Sequence, residues 1–201
     1  MTDELSVDLF CEDRAHRELI GALLLRMGND ISCELDVRVV SARAGRGRVF
    51  AAFTSYQEIV ERVRADEETP DIVVAAIDGN CASFAETRKT IQSATRPKFD
   101  GRVVAACPDP HIERWYMADL QAFKKVVGLG PDLIKEKCEQ DYYKRVLTDT
   151  IRRAGHLPPL GGIDFAPELA EEMDFYRASK NDASFRSFVD EFRGALQRCM
   201  G

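Results

Sequence analysis

The stretch Ile72-Val73-Val74-Ala75-Ala76-Ile77, which runs into the turn Asp78-Gly79-Asn80, decides the fold predicted for this chain. The stretch has almost no polar residue on either face, which is typical of a central parallel strand covered by helices on both sides. The polar turn ends the strand. We therefore expect an α/β domain built around this segment.

Three further strands are predicted around the central one. They cover residues 7–11, which stop at charged residues, residues 34–40, which become β-branched, and residues 102–107, which precede Pro108-Asp109-Pro110. Helices are predicted between the strands over residues 15–27, 56–63 and 83–93. Strands that alternate with helices of about ten residues form βαβ units and a parallel sheet. We expect a mainly parallel sheet of four strands flanked by helices.

The second half of the chain is predicted to be helical from Ile112 onwards. One break is expected at residues 156–162, where proline and glycine residues cluster. We therefore predict an α/β domain over residues 1–118 and a helical C-terminal region over residues 119–201 that packs on it.

Composition narrows the class of protein. The chain has 201 residues, 45% of them hydrophobic, and a formal net charge of −6. An acidic chain of this kind does not coat nucleic acid by charge alone, because nonspecific affinity comes from Lys and Arg. There is no signal peptide and no apolar run long enough to span a membrane, so a cytoplasmic location is expected. The cysteines are scattered without a CxxC pair, which implies neither zinc nor disulfides.

Acidic residues follow three of the predicted strands. Glu12 follows the first strand, Asp78 with Asn80 follows the third, and Asp109 and Glu113 follow the fourth. Ligands of open parallel sheets bind at the carboxyl ends of the strands, so these side chains should face one crevice. Clustered carboxylates repel one another unless a cation neutralises them, and hard oxygen ligands favour Mg²⁺ or Mn²⁺.

A purely structural reading is also open, because Asp and Asn commonly end strands and cap helices. Asp78 or Asn80 would then only cap the helix that follows. Acids at three strand ends together favour a metal site over this reading. Glu113 is the strongest member, since it lies close to the only Trp of the chain, Trp115.

The order of strand, Glu, helix and then a buried strand that ends in an Asp-containing turn resembles the Toprim domain of topoisomerases, primases and OLD-type nucleases. The chain more closely resembles small stand-alone Toprim-like proteins encoded beside an ATPase in bacterial defence loci. Their Pro-x-x-x-Glu-x-Trp-x-x-Ala-Asp motif is approximated by Pro110-His111-Ile112-Glu113-Arg114-Trp115-Tyr116-Met117-Ala118-Asp119, with the Pro one position closer to the Glu. The stretch from Met173-Asp174 to Ser184-Phe185-Arg186-Ser187-Phe188 also resembles theirs.

The resemblance implies a metal-dependent nuclease that cleaves DNA or RNA in anti-phage defence, with an ATPase partner. The first Toprim Glu corresponds to Glu12, although Asp13 stands where a Gly is usual. The Asp-x-Asp pair corresponds to Asp78-Gly79-Asn80, so its second carboxylate is an amide. One metal ion, or two with Asp109 and Glu113 compensating, is compatible with this departure.

Roles for individual residues follow from this analogy. Glu12 is the predicted general base as well as a ligand, and Lys144 and Arg114 are candidates for the cation at the leaving oxygen. Arg43, Arg46 and Arg48 form a glycine-interleaved basic segment suited to gripping phosphates, or a basic connection without a role. His16 and His111 lie near the predicted site in sequence, and an isolated His is usually a surface or packing residue.

Two rival functions stay open. A noncatalytic Toprim-like adaptor would bind and regulate the ATPase, and Asn80 with the acidic net charge favours it. A signalling receiver domain is the second rival, but no fifth strand with a terminal Lys is evident. The choice between DNA and RNA, the need for a partner and the existence of a homo-oligomer are not decided by the sequence.

Overall fold

The computed structural model describes residues 4–42, 48–63, 69–80, 82–133, 139 and 141–201. Its sheet has four strands in the order β2-β1-β3-β4, and every neighbouring pair is parallel. The strands are β1 (Glu4–Cys11), β2 (Glu34–Ser41), β3 (Ile72–Ala76) and β4 (Val103–Ala106). The predicted α/β fold with a parallel four-stranded sheet is confirmed.

The register of the sheet aligns the ends of its three adjacent strands β1, β3 and β4. Cys11 at the end of β1 pairs with Ala76 at the end of β3, and Ala76 pairs with Ala106 at the end of β4. The residues that follow these strands therefore emerge side by side at one edge of the sheet.

Helices flank the sheet and form the C-terminal region. They are α1 (Arg14–Asn29), α2 (Val49–Val63), α3 (Phe84–Ala94), α4 (Ile112–Tyr116), α5 (Leu120–Val127), α6 (Tyr142–Arg153), α7 (Ala166–Glu172), α8 (Phe175–Asn181) and α9 (Ala183–Met200). Short 3₁₀ turns cover Pro97–Phe99 and Ile163–Phe165. No helix in the described part of the chain has both the length and the apolar character that a membrane crossing requires.

The helices differ from the prediction in some bounds and breaks. Helix α2 begins at Val49 rather than Tyr56, because Val49 and Phe53 are buried on the same face as Tyr56. The C-terminal helices are also interrupted after α5, where Gly128 adopts a left-handed conformation with φ of 92°. Glycine at this position commonly ends a helix, because it has no Cβ to clash.

The sheet divides the core into two layers, since successive side chains of a strand point to opposite faces. On one face, Leu9, Val74 and Val104 pack with α1 and the C-terminal helices. On the other face, Val73 and Ala105 pack with α2 and α3. The first layer runs without interruption from the sheet into α9, so C-terminal helices pack on this face of the sheet.

Candidate metal centre

Backbone hydrogen bonds join the loops that follow β3 and β4. Gly79 N donates to Pro108 O over 2.7 Å, and Asn80 N donates to Pro110 O over 2.8 Å. A Cβ at Gly79 would lie only 3.1 Å from Pro108 O, so a larger residue would push the two loops apart. Glycine at this position therefore allows the close approach of the two strand ends.

Three side chains, two that follow β1 and β3 and one in the first turn of α1, converge beside these loops. Glu12, His16 and Asp78 each offer one ligand atom, and these three atoms lie within 4.8 Å of one another. The backbone N of Asp78 donates to Glu12 Oε2 over 3.3 Å, which links the ends of β1 and β3. The side chain of Asp78 is only 12% exposed and that of His16 is fully buried.

Asp13 orients the imidazole of His16. Its side chain caps α1 by accepting from the backbone N of His16 over 3.1 Å, and the same oxygen lies 2.8 Å from His16 Nδ1. The other ring nitrogen, Nε2, lies 3.0 Å from Asp78 Oδ1. Each nitrogen of this buried ring therefore faces a carboxylate.

Helix α4 and the loop before it complete the site. His111 Nδ1 lies 3.2 Å from Asp78 Oδ2. Glu113 is half-buried, and its pKa is raised by burial and by the nearby charges of Asp78 and Asp13. The Tyr116 hydroxyl donates to Ala15 O over 3.0 Å, which ties α4 to the first turn of α1.

His16 is the internal counter-charge of the metal-free site. Burial alone would lower the pKa of His16, but the carboxylates of Asp78 and Asp13 raise this pKa well above 6.5. Burial would raise the pKa of Asp13, but His16 lowers it to about 2. The pKa of Asp78 is also lowered, because His16 and His111 outweigh the effect of burial.

Glu12 is the carboxylate of this cluster whose ionised form is disfavoured. Burial and the neighbouring Asp78 raise the pKa of Glu12 above its usual value of 4.5. A carboxylate in this position is stabilised when a cation enters the cluster. Two carboxylates and an imidazole with this spacing form a donor set that fits a divalent metal ion.

Asn80 and Asp109, both predicted ligands, have other hydrogen-bond partners. Asn80 has a left-handed backbone with φ of 53°, and its Nδ2 donates to Asp78 O over 3.2 Å. Asp109 Oδ2 accepts from the backbone N of Phe84, the first residue of α3, over 3.2 Å. Among the described His, Cys, Asp and Glu residues, Asp109 lies outside the group of ligand atoms formed by Glu12, His16 and Asp78.

The described basic residues that were predicted to act on the substrate lie on different elements. Arg114 Nε donates to Asp182 Oδ2 over 2.6 Å, and Arg114 Nη1 donates to the Tyr143 hydroxyl over 3.1 Å, so Arg114 ties α4 to α9 and α6. Lys144 is exposed on α6. Arg48 is exposed just before α2. Arg43 and Arg46 lie outside the described residues.

Asp13 was given no role from the sequence, and His16 was placed only near the predicted site. A signal was present, because His16 stands four residues after Glu12 in the first turn of the predicted helix, and Asp13 precedes that helix as a typical capping residue. Full burial of His16 and its contact with Asp78, 62 residues further along the chain, are tertiary features that the local pattern does not reveal.

A scan against models of known protein families, a search of curated proteins and a search of solved structures found no match. The resemblance to the Toprim family therefore rests on the sequence motifs alone.

Proposed function

We propose that the chain is a Mg²⁺- or Mn²⁺-dependent nuclease that hydrolyses phosphodiester bonds of DNA or RNA. The observation that carries this proposal is the approach of ligand atoms of Glu12, His16 and Asp78 to within 4.8 Å at the carboxyl edge of a parallel sheet. That edge is where open α/β sheets bind ligands. The acids after the first and third strands also stand where the resemblance to Toprim nucleases places metal ligands.

Glu12 and Asp78 supply the carboxylate ligands. When bound, a divalent cation supplies Lewis-acid chemistry at a phosphoryl oxygen. Asp78 is held by the two imidazoles, and Glu12 is held by the backbone N of Asp78, so both ligands are oriented before substrate arrives. Such preorganisation lowers the entropic cost of positioning the reacting groups.

Glu113 is the proposed proton acceptor for the attacking water. A general base works best when its pKa lies close to the working pH, and burial with the charges of Asp78 and Asp13 shifts Glu113 in that direction. Glu12 was the base predicted from the sequence. Its place in the ligand cluster favours a ligand role instead, and Glu113 stands outside that cluster.

Positive charge for the substrate phosphates comes from the start of α1. Arg14 and Arg17 are exposed and follow Glu12 closely in the chain. Both guanidinium groups contact Glu18, with Arg14 Nε 3.3 Å and Arg17 Nη2 2.5 Å from its Oε1. Solvent-exposed pairs of this kind are weak, so phosphate groups can compete with Glu18 for the arginines.

The biological setting proposed here follows the Toprim resemblance. The nuclease acts in the cytoplasm against foreign nucleic acid, together with an ATPase partner. The local basic residues, rather than the net charge of −6, contact the substrate.

Cleavage assays test the nuclease proposal. Purified wild-type protein is incubated with mixed DNA and RNA substrates and either Mg²⁺ or Mn²⁺, alone and with any ATPase encoded beside it. We expect cleavage that requires the metal and is lost in Glu12→Ala and in Glu113→Ala. Glu168→Ala, which changes an exposed acid on α7, serves as the matched control and should cleave as the wild type does.

A second candidate is a noncatalytic adaptor that binds the ATPase. The observation that favours it is Asn80, an uncharged residue at the second acidic position of the motif, whose amide is engaged by Asp78 O. Absence of cleavage under all of these conditions, with regulation of the ATPase by this chain, would establish the adaptor in place of the nuclease.

A further inference from the structure

We infer that His16 is a direct metal ligand through Nε2, and that the centre therefore prefers Mn²⁺ or another first-row transition ion over Mg²⁺. This inference rests on the metal centre of the proposed function and adds the identity of its third ligand. Glu12 and Asp78 provide oxygen donors in the same cluster.

The contacts of the His16 ring assign Nδ1 to orienting the ring and Nε2 to binding the metal ion. Nδ1 lies 2.8 Å from Asp13 Oδ1, and that oxygen is itself held because it accepts from the backbone N of His16. A ligating histidine usually donates its second ring N–H to a carboxylate, which sets the tautomer and directs the other nitrogen at the metal. Nε2 is the nitrogen left to face Asp78, and Glu12 belongs to the same group of ligand atoms.

Burial supports a dedicated role for this imidazole. The His16 side chain has no exposed surface, although His is an intermediate residue in its tendency to be buried. Of the two carboxylates that flank the ring, Asp13 would orient it and Asp78 would bind the same metal ion. His111 also faces Asp78, but among the described residues it lies outside the group whose ligand atoms approach within 4.8 Å.

Ligand chemistry then selects the ion. Mg²⁺ prefers an octahedral shell of oxygen atoms and keeps several waters. Imidazole nitrogen suits transition ions, and Mn²⁺ accepts carboxylate oxygen as well. A centre with two carboxylates and one imidazole should therefore bind Mn²⁺ more tightly than Mg²⁺.

Pulsed electron paramagnetic resonance of the Mn²⁺-loaded full chain reads the ligand directly. The spectrum of the wild type should show coupling between Mn²⁺ and nitrogen, and growth with ¹⁵N-labelled histidine should change that coupling from ¹⁴N to ¹⁵N. The chain has three histidines, so variants can assign the signal. The double variant His111→Gln/His156→Gln retains His16 as its one histidine and should keep the coupling.

Substitution of His16 supplies the complementary result. His16→Gln should lose the nitrogen coupling and bind Mn²⁺ at least about 10-fold more weakly. Its affinity for Mg²⁺, measured by competition, should change much less. Should His16→Gln fail to fold, the labelled wild type and the double variant still decide the assignment.

Two results would overturn the inference, and only the second would also overturn the proposed function. If Mn²⁺ or Mg²⁺ binds without histidine nitrogen coupling, His16 is not a ligand, while the proposed metal-dependent nuclease stands. If neither ion binds the folded protein, both the His16 ligand and the proposed function fall.

Discussion

Trp115 Nε1 donates a hydrogen bond of 2.9 Å to Ser184 Oγ, and this contact joins α4 of the candidate metal centre to α9. The same hydroxyl accepts from the backbone N of Asp109 over 3.2 Å and lies against Asp182 Oδ1. Trp115 also stacks on Phe188, with ring centroids 5.3 Å apart. The C-terminal region therefore supports both the loop that carries His111 and helix α4, which carries Glu113.

Ser184→Ala tests this support. The substitution leaves two buried donors, Trp115 Nε1 and Asp109 N, without their acceptor, which should cost about 1–3 kcal/mol in the free energy of unfolding. Urea unfolding measures the change. Ser187→Ala, at a half-buried position of the same helix, is the matched control and should stay within about 0.5 kcal/mol of the wild type. Equal losses in the two variants would contradict the supporting role.

Asp119 should give stability a dependence on acid pH. This buried carboxylate accepts from Arg177 Nη2 over 2.8 Å and caps α5. Burial raises the pKa of Asp119, but the bonds from Arg177 and from backbone N–H groups outweigh it and lower the pKa below 3.8. The ionised form therefore stabilises the fold at pH values above the pKa of Asp119 in the unfolded chain. This contribution is lost as the pH falls through the pKa of Asp119 in the folded protein.

Asp119→Asn isolates that contribution. At pH 6 the variant should be less stable than the wild type by roughly 1–3 kcal/mol. The difference should shrink as the pH falls below 3.8. Unfolding curves at a series of pH values supply the measurement, with Asp149→Asn at an exposed position of α6 as control. A difference that stays constant with pH would show that Asp119 does not act through its charge.

His16 should keep its second ring proton at neutral pH in the metal-free protein. Asp78 and Asp13 raise the pKa of His16 well above 6.5 despite burial, so its contribution to stability is complete below pH 6.5 and is lost as the pH rises through the folded value. Nitrogen NMR at pH 7 should find both ring nitrogens protonated. Asp13→Asn should lower this pKa, and Asp36→Asn on the exposed face of β2 should leave it unchanged. A neutral ring in the metal-free wild type would refute the prediction.

Metal ions should stabilise the fold through Asp78 and not through Asp109. A ligand at about 100 times its dissociation constant adds about 2.7 kcal/mol to the free energy of unfolding. We expect Mn²⁺ to raise the melting temperature of the wild type and of Asp109→Asn, since Asp109 is engaged by the start of α3. Asp78→Asn should show little or no rise. A similar rise in both variants would place the ion elsewhere.

Local pattern was sufficient to predict the sheet. The apolar run at residues 72–77 carries enough information to mark a strand buried on both faces, and the βαβ spacing predicts parallel neighbours. The order β2-β1-β3-β4 makes β1, β3 and β4 neighbours, so the acidic residues that follow these strands emerge at one edge of the sheet. Convergence of Glu12 and Asp78 could therefore be anticipated from the fold class.

Other parts of the site depend on tertiary contacts that no local pattern contains. His16 is a site residue because α1 places its ring against Asp78, which follows β3. Asp109 contacts Phe84 because the loops after β3 and β4 lie against each other. Arg114 was predicted near the substrate, and its contact with Asp182 forms only when α9 packs beside α4.

Anomalous scattering from Mn²⁺-soaked crystals tests the metal centre most directly. We expect a peak between Glu12, His16 and Asp78, about 2.0–2.6 Å from the carboxylate oxygens of Glu12 and Asp78. A map from well-ordered crystals with no peak there, or with Mn²⁺ bound at another place on the protein, would contradict it.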